Sequence, residues 1–249
     1  MFWMLLTNAA FAADTFTWDP VADTSLAVGL PVFFGVMYTH AEESIPPGSL
    51  ETGELGPLDA RMTPHYTARW DTLSDVFLYG SMVGGAAAAG LDGWLSEEPV
   101  AQRVGLMSQV IFTDLIVTDV MKAAFARPRP YTRDPAQSER SHHPDAARSF
   151  PSGHASATAA ASFGAARVAH MSGNARPEVV YPVAGALTLA AGSLRVAAGV
   201  HYPSDVLAGA AAGTTIGLVI PSLHAAEPTP GAAATEDTAA RVFSLSGRW

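Results

Sequence analysis

Apolar positions along the chain gather into five long stretches: Leu73 to Trp94, Val100 to Phe125, His154 to His170, Val179 to Val200 and Asp205 to Leu223. A sixth, Leu26 to Tyr38, is shorter and carries Pro31. None alternates with a period of two, and the β-branched residues sit in helical contexts, so the pattern predicts an all-α bundle of about six helices. A bilayer-spanning helix needs about 20 mainly apolar residues, and four of the five longer stretches approach that. Small residues cluster in Gly84-Gly85-Ala-Ala-Ala-Ala-Gly90 and Ala208-Gly-Ala-Ala-Ala-Gly213, which suits close helix contact in lipid. Alanine is only weakly hydrophobic, however, and Asp114 and Asp119 interrupt one stretch. The pattern favours a membrane-embedded bundle and leaves a compact soluble one open.

Polar segments divide these stretches. Glu42 to Trp70 is rich in Pro and Gly and reads as a long loop with at most one short helix. Tyr131 to Ser149 reads as a second long loop, carrying Arg133, Arg140, His142, His143 and Arg148. Loops this long inside a compact domain are functional or disordered. Residues 20–223 are therefore expected to form one helical domain, and 224–249, with Glu227-Pro-Thr-Pro-Gly231, a disordered tail. Residues 1–19 form an N-terminal segment whose apolar run ends in Ala10-Phe11-Ala12, like the cleavage region of a secretory signal peptide without its basic start. Export is the favoured reading, and an apolar helix that stays attached is the alternative.

Composition narrows the classes of function. A net charge of −9 with only 15% charged residues disfavours nucleic acid, whose phosphates demand a basic face. The absence of cysteine removes disulfides, thiolate metal sites and thiol nucleophiles. Lys122 is the only lysine, and several of the thirteen arginines crowd between Arg127 and Arg148. Arginine grips carboxylates and phosphates with two parallel N–H bonds, so an acidic chain with this cluster points to a small anionic group as ligand.

Three short patterns fall at the ends of the expected helices: Lys122-x6-Arg129-Pro130, Pro151-Ser152-Gly153-His154, and Arg195-x5-His201-x3-Asp205. Alternating helix direction brings all three to one end of the bundle. Pro151-Ser-Gly opens a helix, so the amides around Ser152 to His154 form an anion site at its positive end. Lys122, Arg129 and Arg195 are suited to the nonbridging oxygens of a phosphoryl group. Asp205, in the first turn after Pro203, is expected to reach one nitrogen of His201 and leave the other free to attack phosphorus. His154 is positioned to protonate the departing alkoxide. Two other groupings carry less. Adjacent His142 and His143 point apart and make poor joint metal ligands. Asp114 and Asp119 lack the matching carboxylates of a di-metal bundle.

The three patterns, in this order, resemble the signature of the type 2 phosphatidic acid phosphatase and vanadium haloperoxidase superfamily, K-x6-R-P, P-S-G-H and S-R-x5-H-x3-D. The likeness covers Lys122 to Asp205. It implies a helical core like that of chloroperoxidase and a phosphatase acting without metal or cofactor, through phosphohistidine on His201 with His154 as acid. Phosphate would be held by Lys122, Arg129, Ser152, Gly153 and Arg195. One position departs: the serine before the arginine is Leu194, with Ser193 one place earlier. The apolar helices resemble the membrane branch, acting on phosphatidate-like or polyprenyl diphosphate lipids, with the site facing the periplasm from the inner membrane. A soluble periplasmic acid phosphatase of broad specificity, and an inactive phosphate-binding bundle, stay open as alternatives; a haloperoxidase is more distant.

Overall fold

The computed structural model describes residues 15–41 and 55–226. The signal-like Met1 to Ala12 run, much of the first polar loop and the tail beyond Ala226 lie outside the described residues.

The chain is all-α, with helices α1 (Ala22–Ala41), α2 (Ala68–Leu95), α3 (Val100–Phe125), a one-turn α4 (Ser138–Ser141), α5 (Gly153–Met171), α6 (Pro177–Ala197) and α7 (Pro203–Leu223). The six longer ones follow the apolar stretches closely. The largest difference is α1, which runs through Pro31 for 20 residues. Proline removes the helical bond to the carbonyl four residues back. That carbonyl, on Ala27, instead accepts from Ser108 Oγ of α3 at 2.8 Å, so the helix continues.

α5 is the central helix, packed against α2, α3, α6 and α7. Its inward residues are small, Ala155, Ser156, Ala159, Ala160 and Gly164 among them, because its neighbours are other helices at short range. The tightest seam is with α7. A Cβ on Gly209, Gly213 or Gly217 would stand 2.4, 2.0 or 2.6 Å from the carbonyl oxygens of Ser152, Ser156 and Ala160. Glycine at every fourth position therefore lets the two backbones touch.

The outer faces are apolar. Val28, Val32 and Val36 of α1, Val76, Tyr79 and Val83 of α2, Val179, Val183 and Leu189 of α6, and Leu207 and Val219 of α7 are all exposed. Among the described residues four helices, α1, α3, α6 and α7, are long and apolar enough to cross a membrane. So much uncovered apolar surface is unfavourable in water and suits hydrocarbon; these helices are compatible with membrane insertion.

The second polar loop is a chain of short turns, Pro130–Arg133, Pro135–Gln137, α4 and Pro144–Ala147. It folds back on the end of α3: Arg129 N–H donates to Ala146 C=O at 2.8 Å and Ser149 N–H to Arg127 C=O at 2.9 Å. Beyond α7, Ala225 and Ala226 are tied to the segment before α1, with Ala226 N–H donating to Thr15 C=O at 3.0 Å.

Candidate active site

Antiparallel succession puts the C-terminal ends of α3 and α6 and the N-terminal ends of α2, α5 and α7 at one end of the bundle. The start of α2 is fixed there by Thr67 N–H, which donates to Ala198 C=O just past α6 at 3.0 Å. All eight residues singled out in the sequence lie at this end.

His201 is buried, 1% exposed, and its neighbours set its tautomer. Nδ1 lies 2.7 Å from the carbonyl oxygen of Ser149, which only accepts, so Nδ1 carries the proton. Nε2 lies 3.2 Å from Nη1 of Arg129, which only donates, so Nε2 presents its lone pair. Burial, followed by the charges of Arg129, Arg195 and Lys122, holds the imidazole well below its usual pKa. His201 is thus a neutral base with its free nitrogen turned towards cations.

The expected direct bond from Asp205 to His201 is replaced by an indirect one. The Asp205 Oδ2 to His201 Nδ1 distance is 3.6 Å, too long for a hydrogen bond. Oδ2 instead accepts from Ser149 Oγ at 2.5 Å and Tyr202 N–H at 2.9 Å, capping α7. Asp205 therefore holds Ser149, and Ser149 holds His201. The reason is the position of Asp205 inside the first turn of α7, where its carboxylate folds back onto the helix's own free amide. Oδ1 pairs with Arg127, whose Nη2 reaches Asp59 at 2.8 Å, while Asp59 also accepts from Ser204 Oγ at 2.6 Å. Burial pushes the Asp59 carboxyl up, and the bonds from Arg127 and Ser204 outweigh it, leaving its pKa below the usual value.

Arg129 is buried, donating through Nε to Asp145 C=O at 2.9 Å and through Nη1 to Val200 C=O at 3.0 Å, and pairing with the Asp145 carboxylate at 2.7 Å. Burial raises the pKa of that carboxyl, but Arg129 and Lys122 more than reverse it, so Asp145 is held below its normal range. Arg195 is bound by Asp71 and by Ser74 of α2, the latter at 3.1 Å. Lys122 differs: among the described residues no carboxylate lies within 4.0 Å of it. Its Nζ is close enough to α5 that a Cβ on Gly153 would stand 3.1 Å away.

The start of α5 is more selective than expected. Ser152 N–H donates to Asp205 C=O at 3.0 Å, and Ser152 Oγ caps Ala155 N–H. The backbone donors of Ser152 to His154 left without a protein acceptor, among the described residues, are the amides of Gly153 and His154; Ser152 contributes its hydroxyl proton. His154 Nε2 meets Asp75 Oδ1 at 2.7 Å.

Several side chains at this end went unmarked in the sequence, Asp59, Ser149 and Ser204 as well as four nearer the cations: Asp71, Ser74, Asp75 and Asp145. Asp71, Ser74 and Asp75 occupy the opening turns of α2, and helix alternation alone would have put that end here. Ser193 is exposed on α6, two residues from Arg195 and so on a different face; the hydroxyl beside Arg195 is that of Ser74. Asp114 and Asp119 form no common centre. Asp114 accepts from Ser156 Oγ at 2.6 Å, and Asp119 pairs with Arg148.

Among known protein families, the model of the PAP2 superfamily matches residues 104–228, half of the chain. The span contains all three sequence patterns and excludes α2. No curated protein and no solved structure matches.

Proposed function

The chain belongs to the PAP2 superfamily, and from that premise we propose that it is a metal-independent phosphatase cleaving phosphomonoesters or diphosphates of lipids through phosphohistidine on His201. One observation carries the reading: the pair of contacts that leaves His201 neutral, with an Nε2 lone pair and a protonated Nδ1.

The substrate's phosphoryl oxygens lie among Lys122, Arg129 and Arg195 and the amides of Gly153 and His154, with the Ser152 hydroxyl as a further donor. These fixed groups supply the charge stabilisation that phosphoryl transfer requires. Nε2 of His201 attacks phosphorus as the bond to the ester oxygen breaks, and His154 gives that oxygen its proton. The Nδ1 proton stays on the ring, held by Ser149. Water then attacks phosphorus and passes a proton to His154; the N–P bond breaks and phosphate leaves, restoring neutral His201.

Exposed apolar faces on α1, α2, α6 and α7 support the membrane branch. We put the site on the periplasmic side of the inner membrane, on the basis of the signal-like apolar run ending in Ala10-Phe11-Ala12.

The test is phosphate release by purified protein in the presence of a chelator, from phosphatidate, a polyprenyl diphosphate and a soluble aryl phosphate. Lipid-selective release that disappears in His201→Ala supports the reading. Preference for the aryl ester moves the protein to the soluble acid phosphatase branch. Absence of release, with inorganic phosphate still bound, reduces it to a binding bundle.

A further inference from the structure

On the flank of the bundle below the site, an apolar cavity of about 480 Å³ opens between α2, α5 and α6. That volume falls within the range of small-ligand sites. Its α2 wall runs from Val76 to Ala88, about 18 Å at 1.5 Å per residue. This is about half of a 30 Å hydrocarbon core, the depth of one leaflet.

On α2 the cavity begins one residue past the site. Val76 and Phe77, at its upper end, directly follow Asp75, whose carboxylate holds His154. His154 in turn is the group facing the ester oxygen that departs. The alcohol half of the substrate therefore leaves the phosphate towards the α2 side, where the apolar wall begins. Gly80 and Gly84 keep that wall low: a Cβ on either would meet nothing within 4 Å. The lining holds two serines, Ser81 and Ser162, among otherwise apolar residues, and Ser162 turns its hydroxyl to Thr158 C=O at 2.6 Å.

We propose that this groove receives one hydrocarbon chain of the substrate, so that the enzyme selects long-chain phosphate esters by seating the chain along α2 while the phosphate rests among the cations. The proposal rests on the phosphatase reading and adds to it the place and length of the apolar part.

The experiment compares phosphate release from hexadecyl phosphate and butyl phosphate by protein in phosphatidylcholine nanodiscs. Gly84→Leu fills the groove from α2, and Leu187→Trp obstructs it from α6. The wild type is expected to prefer the long ester, and each variant to lose about tenfold or more of its kcat/KM on that ester. Release from butyl phosphate should stay within about twofold in both. Undiminished preference for the long ester in the variants, or equal loss on both esters in both variants, overturns the groove and leaves the phosphatase reading standing. A wild type that prefers butyl phosphate does the same. A wild type that releases phosphate from neither overturns both.

Discussion

Ser74 of α2 stands 3.1 Å from Nη1 of Arg195 on α6, across 121 residues of sequence. It gives Arg195 a hydroxyl partner, while position 194, where the superfamily pattern has a serine, is Leu194. Its own proton goes to Asp71 C=O at 2.6 Å, so its oxygen lone pairs face the guanidinium. Ser74→Ala is expected to lower kcat/KM about fivefold, the worth of about 1 kcal/mol for one such bond. Leu194→Ser should change it by less than about twofold, since Arg195 already has the Ser74 hydroxyl as a partner. Steady-state kinetics on both variants check this; a large gain in Leu194→Ser would contradict it.

The Asp75 and His154 pair makes a prediction that depends on the leaving group. Asp75→Asn leaves His154 without its anionic partner and should lower kcat on an alkyl phosphate by about tenfold to a hundredfold, within the usual range for general acids. An aryl phosphate, whose leaving oxygen needs little proton assistance, should lose far less. Equal losses on the two esters would assign Asp75 a merely structural role.

A depressed imidazole also links pH to stability. His201 stays neutral in the folded protein, held below its normal pKa by burial first and then by Arg129, Arg195 and Lys122. The unfolded chain takes up a proton near its ordinary value of about 6.5. Between that value and the lower folded one the unfolded state binds more protons, so stability falls as pH falls. Thermal midpoints measured from pH 7 to pH 5 should therefore decline, and less steeply in His201→Gln. Parallel slopes would mean that His201 is not held neutral.

The absence of cysteine allows a clean test of orientation. His142 is exposed in the polar loop at the site end. In His142→Cys, a membrane-impermeant maleimide added to intact cells with a permeable outer membrane should label the protein fully. Labelling only after lysis would put the site on the cytoplasmic side.

Much of this was legible in the sequence. The long helices from α2 onward follow apolar runs because each must bury or expose a continuous apolar stripe, and the Lys122, His154 and His201 patterns meet because helix direction alternates. Contacts made by single groups across long separations left no local trace. Asp75 and His154 are 79 residues apart, and a carboxylate in the first turns of a helix reads equally well as a dipole partner. Ser149 acts on His201 through a backbone carbonyl, which residue identity does not encode. The extent of α1 was hidden by Pro31, whose effect is cancelled by Ser108, a residue 81 positions away from the carbonyl it satisfies.

The links among Asp59, Arg127, Ser149 and Asp205 also bear on assembly order. Asp59 reaches Ser204 across 145 residues, and contacts of such separation carry a large loop-closure cost and form late. During synthesis the cations at the end of α3 emerge well before α7 supplies Asp205. A nascent chain halted after α6 would hold Lys122, Arg129 and Arg195 but no Asp205 to fasten Ser149. His201, which follows α6, is therefore set in place only when the last helix docks.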